Sequence, residues 1–64
     1  MTSTSSYRIE FRYGANTYWT PVYETNDPHK LYGMYNHFLE THNDDDCHFR
    51  CCVLLGGYFR VIKL

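Results

Sequence analysis

The sequence predicts an α+β fold of order ββαββ: a four-stranded antiparallel sheet with one helix packed on one face. Three observations carry that prediction. The C-terminal stretch from Cys47 to Leu64 contains two β-rich runs separated by Gly56-Gly57, and a two-residue hairpin turn needs the positive φ that glycine adopts without steric cost. Tyr7-Arg8-Ile9-Glu10-Phe11-Arg12-Tyr13 alternates strictly between apolar and charged residues, the period of a strand with one face buried. Between these regions Leu31, Met34, Tyr35, Phe38 and His42 recur at three- and four-residue spacing, with Leu39 beside them, which is the stripe of a helix lying on a sheet.

In chain order, residues 1–6 form a Thr/Ser-rich run with nothing to bury, expected to be a disordered leader. The single α+β domain is then residues 7–64. In the first strand Tyr7, Ile9, Phe11 and Tyr13 share one face. Gly14-Ala15-Asn16-Thr17 has the chemistry of a turn, and a four-residue loop sets Tyr13 opposite Tyr18, Phe11 opposite Thr20 and Ile9 opposite Val22. The returning strand, Tyr18 to Glu24, contains Pro21, which cannot donate a ladder hydrogen bond and so places this strand at an edge. Asn26-Asp27-Pro28 starts a helix, with Asp27 able to accept from the open amides and Pro28 suited to the first helical position. Gly33 weakens that helix by about 1 kcal/mol relative to alanine, or marks a close approach. The carboxylates of Asp44, Asp45 and Asp46 sit at the unfavourable end of its dipole and stop it.

The last hairpin pairs Leu55 with Tyr58, Val53 with Arg60, Cys51 with Ile62 and Phe49 with Leu64. One face is then Phe49, Cys51, Val53, Leu55, Tyr58, Ile62 and Leu64, interrupted by Arg60. The other is His48, Arg50, Cys52, Leu54, Phe59, Val61 and Lys63. A right-handed crossover over the helix that skips one strand gives the order 2-1-3-4, which is favoured, with 1-2-4-3 still open.

Composition narrows the function classes. With 44% hydrophobic and 19% aromatic residues in 64, the chain is far from the polarity that keeps a segment disordered. Its core is nevertheless thin, and a stability of a few kcal/mol is expected. Six basic against seven acidic residues give a net charge of −1, so no global field drives it onto nucleic acid or anionic lipid. No apolar run is long enough to span a membrane, and three cysteines do not make the even set of a secreted disulfide scaffold. A cytoplasmic protein with reduced thiols is expected.

Cys47, His48, Cys51 and Cys52, with His37 and His42 upstream, are the residue types of a zinc site. Adjacent positions on a strand point Cys51 and Cys52 to opposite faces, however, so they do not easily share one ion. Buried structural thiols account for them better, and neither a metal nor a cofactor is assigned. Cys47 with a histidine and the acidic run supplies the types for nucleophilic catalysis without the geometry, and no enzyme activity is expected. The surface that stands out is the sheet face away from the helix, where Arg8, Arg12, Trp19, Tyr23, Arg50, Leu54, Phe59, Val61 and Lys63 interleave aromatic and apolar groups with cations. Trp, Tyr and Arg dominate the energetics of protein interfaces, so the sequence reads as a small non-catalytic interaction module. Its exposed sheet face or edge strand would bind another protein or a second copy, in a homodimer. Short chains of this kind are commonly inhibitors or accessory factors such as phages and mobile elements encode. The alternative is a small nucleic-acid-binding domain that stacks bases on the same face.

Overall fold

A computed structural model describes residues 6–15 and 18–62. It contains β1 (Tyr7–Tyr13), β2 (Thr20–Thr25), α1 (Pro28–Thr41), β3 (Cys47–Leu55) and β4 (Tyr58–Ile62). The four strands form one antiparallel sheet in the order β2-β1-β3-β4, which is the favoured prediction. Because β1 lies between them, β2 and β3 run in the same direction, and α1 carries the chain from one to the other.

Each element forms for a local reason. Asp27 caps α1: its carboxylate accepts from the His29 N–H at 2.9 Å, and Pro28 occupies the first turn, where an N–H is dispensable. At the other end His42 closes the helix through its N–H to the Phe38 carbonyl. Gly56 and Gly57 take φ values of 59° and 86°, the type I′ geometry whose twist matches that of the strands it joins. Gly14, with φ 60°, donates its N–H to the Asp46 carbonyl at 2.7 Å and so ties the first turn to the loop before β3. Ser6, placed by the sequence in the disordered leader, extends the sheet: its N–H reaches the Asn26 side chain and its carbonyl accepts from Leu54. The rest of that leader, 1–5, lies outside the described residues, as do Asn16, Thr17, Lys63 and Leu64.

The core is one layer between helix and sheet. Ile9, Leu31 and Cys51 are fully buried in it, and Tyr7, Tyr23, Met34, Tyr35, Phe38, Phe49 and Ile62 pack around them. Leu31, Met34, Tyr35 and Phe38 are the predicted helical stripe, whereas Leu39 lies at its margin and is exposed. Phe38 stacks on Phe49 at 5.3 Å, and Phe11 tilts against Phe49 at 5.1 Å. The helix rests on β1, β2 and β3, leaving Tyr58 and Arg60 of β4 exposed on the same side of the sheet.

One register differs from the expectation. Phe11 does face Thr20, but Ile9 faces Tyr23 rather than Val22, because a bulge inserts Val22 after the Pro21–Glu10 pair. Proline lacks the N–H that would continue the ladder, and within sheets it is tolerated at edges and bulges. A one-residue shift turns the following side chain to the other face, so Tyr23 leaves the outer face and joins the core.

A Cβ at Gly33 would meet no atom within 4 Å, so this glycine serves no close approach. Gly33→Ala should therefore raise stability by about 1 kcal/mol, through helix propensity alone. A higher denaturation midpoint in urea checks this, and an unchanged or lower one counts against an open helical position.

Candidate functional site

The outer face begins at Glu10, the middle residue of β1 on that side. The β1–β3 register sets Glu10 opposite Arg50 and Arg8 opposite Cys52. Glu10 is only 6% exposed, and three donors converge on its carboxylate: Arg50 Nε at 2.7 Å, Arg8 Nη1 at 3.2 Å and the Cys52 thiol at 3.4 Å. Arg8 also reaches Glu24 on β2 at 3.4 Å. Burial by itself would push the Glu10 carboxyl up, but the hydrogen bonds from Arg50, Arg8 and Cys52 outweigh it and hold the group below its ordinary 4.5.

The guanidinium groups do a second job on this face. The Arg8 guanidinium carbon lies 3.6 Å from the centre of the Phe59 ring, that of Arg50 4.2 Å from Trp19, and that of Arg12 4.9 Å from Trp19. Planar cations stacked on rings cover apolar surface while keeping their edges available for hydrogen bonds. The patch centred on Cys52, Leu54, Phe59 and Val61, for which the sequence suggests no internal cover, is thus partly covered by its own arginines. Cys52 is buried, Leu54 and Phe59 are half-buried, and Val61 remains 53% exposed.

Of the nine residues singled out from sequence, Arg8, Arg12, Trp19, Arg50, Leu54, Phe59 and Val61 are together on or beside this face. Tyr23 is not, being part of the core for the reason given above. Lys63 lies outside the described residues. The residue that sequence reasoning did not place in the site is Glu10, although its position between Arg8 and Arg12 on an alternating strand was a signal.

The edges of the sheet differ. β2 carries Pro21 and the bulge, two features that make an edge a poor template for further pairing. β4 carries neither. In a hairpin with a two-residue turn, the residues flanking the turn bond to each other and the bonded pairs then alternate. Tyr58, Arg60 and Ile62 thus use their backbone groups on β3, opposite Leu55, Val53 and Cys51. The N–H and C=O groups of Phe59 and Val61 point away from the sheet, with no strand beyond them among the described residues. On the helix side of this edge Tyr58 is 73% exposed, and Arg60, also exposed, has no carboxylate partner among the described residues.

The cysteines lie apart from this edge's open side. Cys51 is in the core and Cys52 is under the arginine layer. Burial pushes both thiols up to about 11, Cys51 with a contribution from Cys52 and Cys52 with one from the Glu10 charge. Burial and the nearby Asp44 and Asp46 raise the Cys47 thiol as well. Protonated thiols are poor nucleophiles and poor metal ligands, and no group of three metal-ligating side chains occurs among the described residues. A cleft of about 160 Å³ opens at the end of α1 between Phe11, Val22, Phe38, His42 and Phe49, less than the roughly 300 Å³ at which small-molecule pockets begin. Among the described residues no helix is long and apolar enough to cross a membrane. Compared with family models, curated proteins and solved structures, the chain matches none.

Proposed function

We propose that this protein is a non-catalytic association module that binds an extended polypeptide segment along β4, with the half-covered strip of Leu54, Phe59 and Val61 beside it. The observation that carries this reading is the asymmetry of the sheet, one edge closed by Pro21 and a bulge and the other presenting the backbone groups of Phe59 and Val61. Strand addition draws its affinity from such groups and its specificity from the flanking side chains. A protein that acts in this way serves as an inhibitor or accessory factor, occupying a partner's surface without transforming it. The outer face supports nucleic acid less well. Arg8 and Arg50 are balanced by Glu10 and Glu24, and all three described arginines of that face lie against aromatic rings, which leaves little positive charge to displace phosphate counterions.

Val61→Pro tests the edge. Its N–H points outward, so proline removes a docking group without breaking a β3 bond, and the far-UV circular dichroism should be retained. Used as baits, the wild-type chain should retain a polypeptide, foreign or its own, that the variant loses. Equal retention of the same polypeptides by a folded variant overturns the assignment.

A further inference from the structure

We infer that the segment taken up by β4 is the β4 strand of a second copy, paired antiparallel about a two-fold axis at Phe59. This deepens the reading above and rests on it. A symmetric pairing of identical antiparallel strands places the axis at a residue, and within β4 the outward backbone groups allow axes at Phe59, Arg60 or Val61. An axis at Arg60 sets Arg60 against its own copy in a non-bonded pair, where side chains approach most closely and like charges repel. An axis at Val61 sets Arg60 against Ile62 of the second copy, an aliphatic residue that offers the guanidinium neither a charge nor a ring. An axis at Phe59 instead places Tyr58 opposite Arg60 of the second copy, twice by symmetry, on the helix side of the sheet, where both residues are exposed. There a cation with no carboxylate partner among the described residues meets an exposed aromatic ring, the pairing the outer face already uses at Arg8–Phe59 and Arg50–Trp19. Phe59 meets its own copy on the other side.

The closed edge makes this association finite. Pairing of β4 with β2 of another copy would be heterologous and would propagate, but Pro21 and the bulge obstruct it. Each chain has one competent edge, and one competent edge per chain gives a pair. A net charge of −1 per chain opposes that pair only weakly.

Sedimentation equilibrium of the full chain from micromolar to millimolar concentration tests the inference. The wild type should pass from monomer towards dimer. Tyr58→Glu, which puts a carboxylate opposite Arg60 of the second copy at two places, should tighten the dimer roughly tenfold. Tyr58→Lys should weaken it by a similar factor, and the double variant Tyr58→Lys/Arg60→Glu should restore it. Both positions are exposed, so these changes leave the fold in place. A wild type that is monomeric throughout overturns the inference, as does a dimer indifferent to the sign of the charge at position 58. If the monomeric wild type still captures a foreign protein that Val61→Pro loses, only the second copy is excluded and the edge reading stands.

Discussion

Ile9→Ala should abolish the cooperative unfolding transition at room temperature. Ile9 is fully buried on the central strand β1, between β2 and β3, beside Cys51 of β3 and under Leu31 of α1. Truncating such a side chain costs about 2–5 kcal/mol, from lost transfer free energy and from the cavity left behind. A domain of 64 residues holds only a few kcal/mol in total, so the loss is comparable with the whole stability. Leu31→Ala should act similarly, by loosening α1 from the sheet. Leu39→Ala is the control: the same substitution on the same helix, at a margin position that is exposed, should cost less than about 1 kcal/mol. Urea titrations followed by circular dichroism read all three. An Ile9→Ala protein that keeps a wild-type midpoint would mean that the fold does not depend on this layer.

Glu10→Gln should produce the largest effect outside the core, about 2 kcal/mol. That figure lies between the 3–5 kcal/mol of breaking a fully buried ion pair and the 0–1 kcal/mol of an exposed one, because Glu10 is buried while its Arg8 and Arg50 partners are partly exposed. The amide keeps the shape of the carboxylate but leaves Arg50 without a counter-charge and Arg8 with only the partly exposed Glu24. The pH dependence follows from the lowered carboxyl. Its folded value is below its unfolded one, so its contribution to stability is complete above the ordinary value of 4.5 and is lost as pH falls through the lowered folded value. The stability gap between wild type and Glu10→Gln should therefore be full at neutral pH and shrink as pH falls below 4.5 and through the lowered folded value. A gap that stays constant with pH would mean that the Glu10 charge does not hold this face together.

These two residues mark how far the sequence could be read. That Ile9 faces the core follows from alternation along β1, and the Leu31 to Phe38 stripe follows from helical spacing. Both are local periodicities, set by where Cβ points in each type of backbone. The Gly56-Gly57 turn likewise carries its own register, since its length dictates which residues of β3 and β4 face each other. The pairing of β1 with β3 has no such turn. These strands are about 40 residues apart in sequence, and only their assembly puts Arg50 and Cys52 next to Glu10 and Arg8. The outer face therefore reads in sequence as a row of available cations and uncovered aromatics, while in the folded chain the two sets cover each other.

Tyr23 shows the same limit at closer range. Turn chemistry located the first hairpin and Pro21 identified its edge strand, but whether proline is accommodated by ending the ladder or by a bulge depends on what the next residue can pack against. Here Tyr23 reaches Ile9 and the core, and Val22 is the residue left over.

The sequence by itself determined the elements, their order along the chain and the helix face that is buried, because each is encoded within a few neighbouring residues. The tertiary structure alone decided the β1–β3 register, the bulge and the layer in which Glu10 gathers Arg8, Arg50 and Cys52. Those features arise from contacts between residues distant in the chain, whose energies depend on burial and mutual orientation that local sequence does not specify.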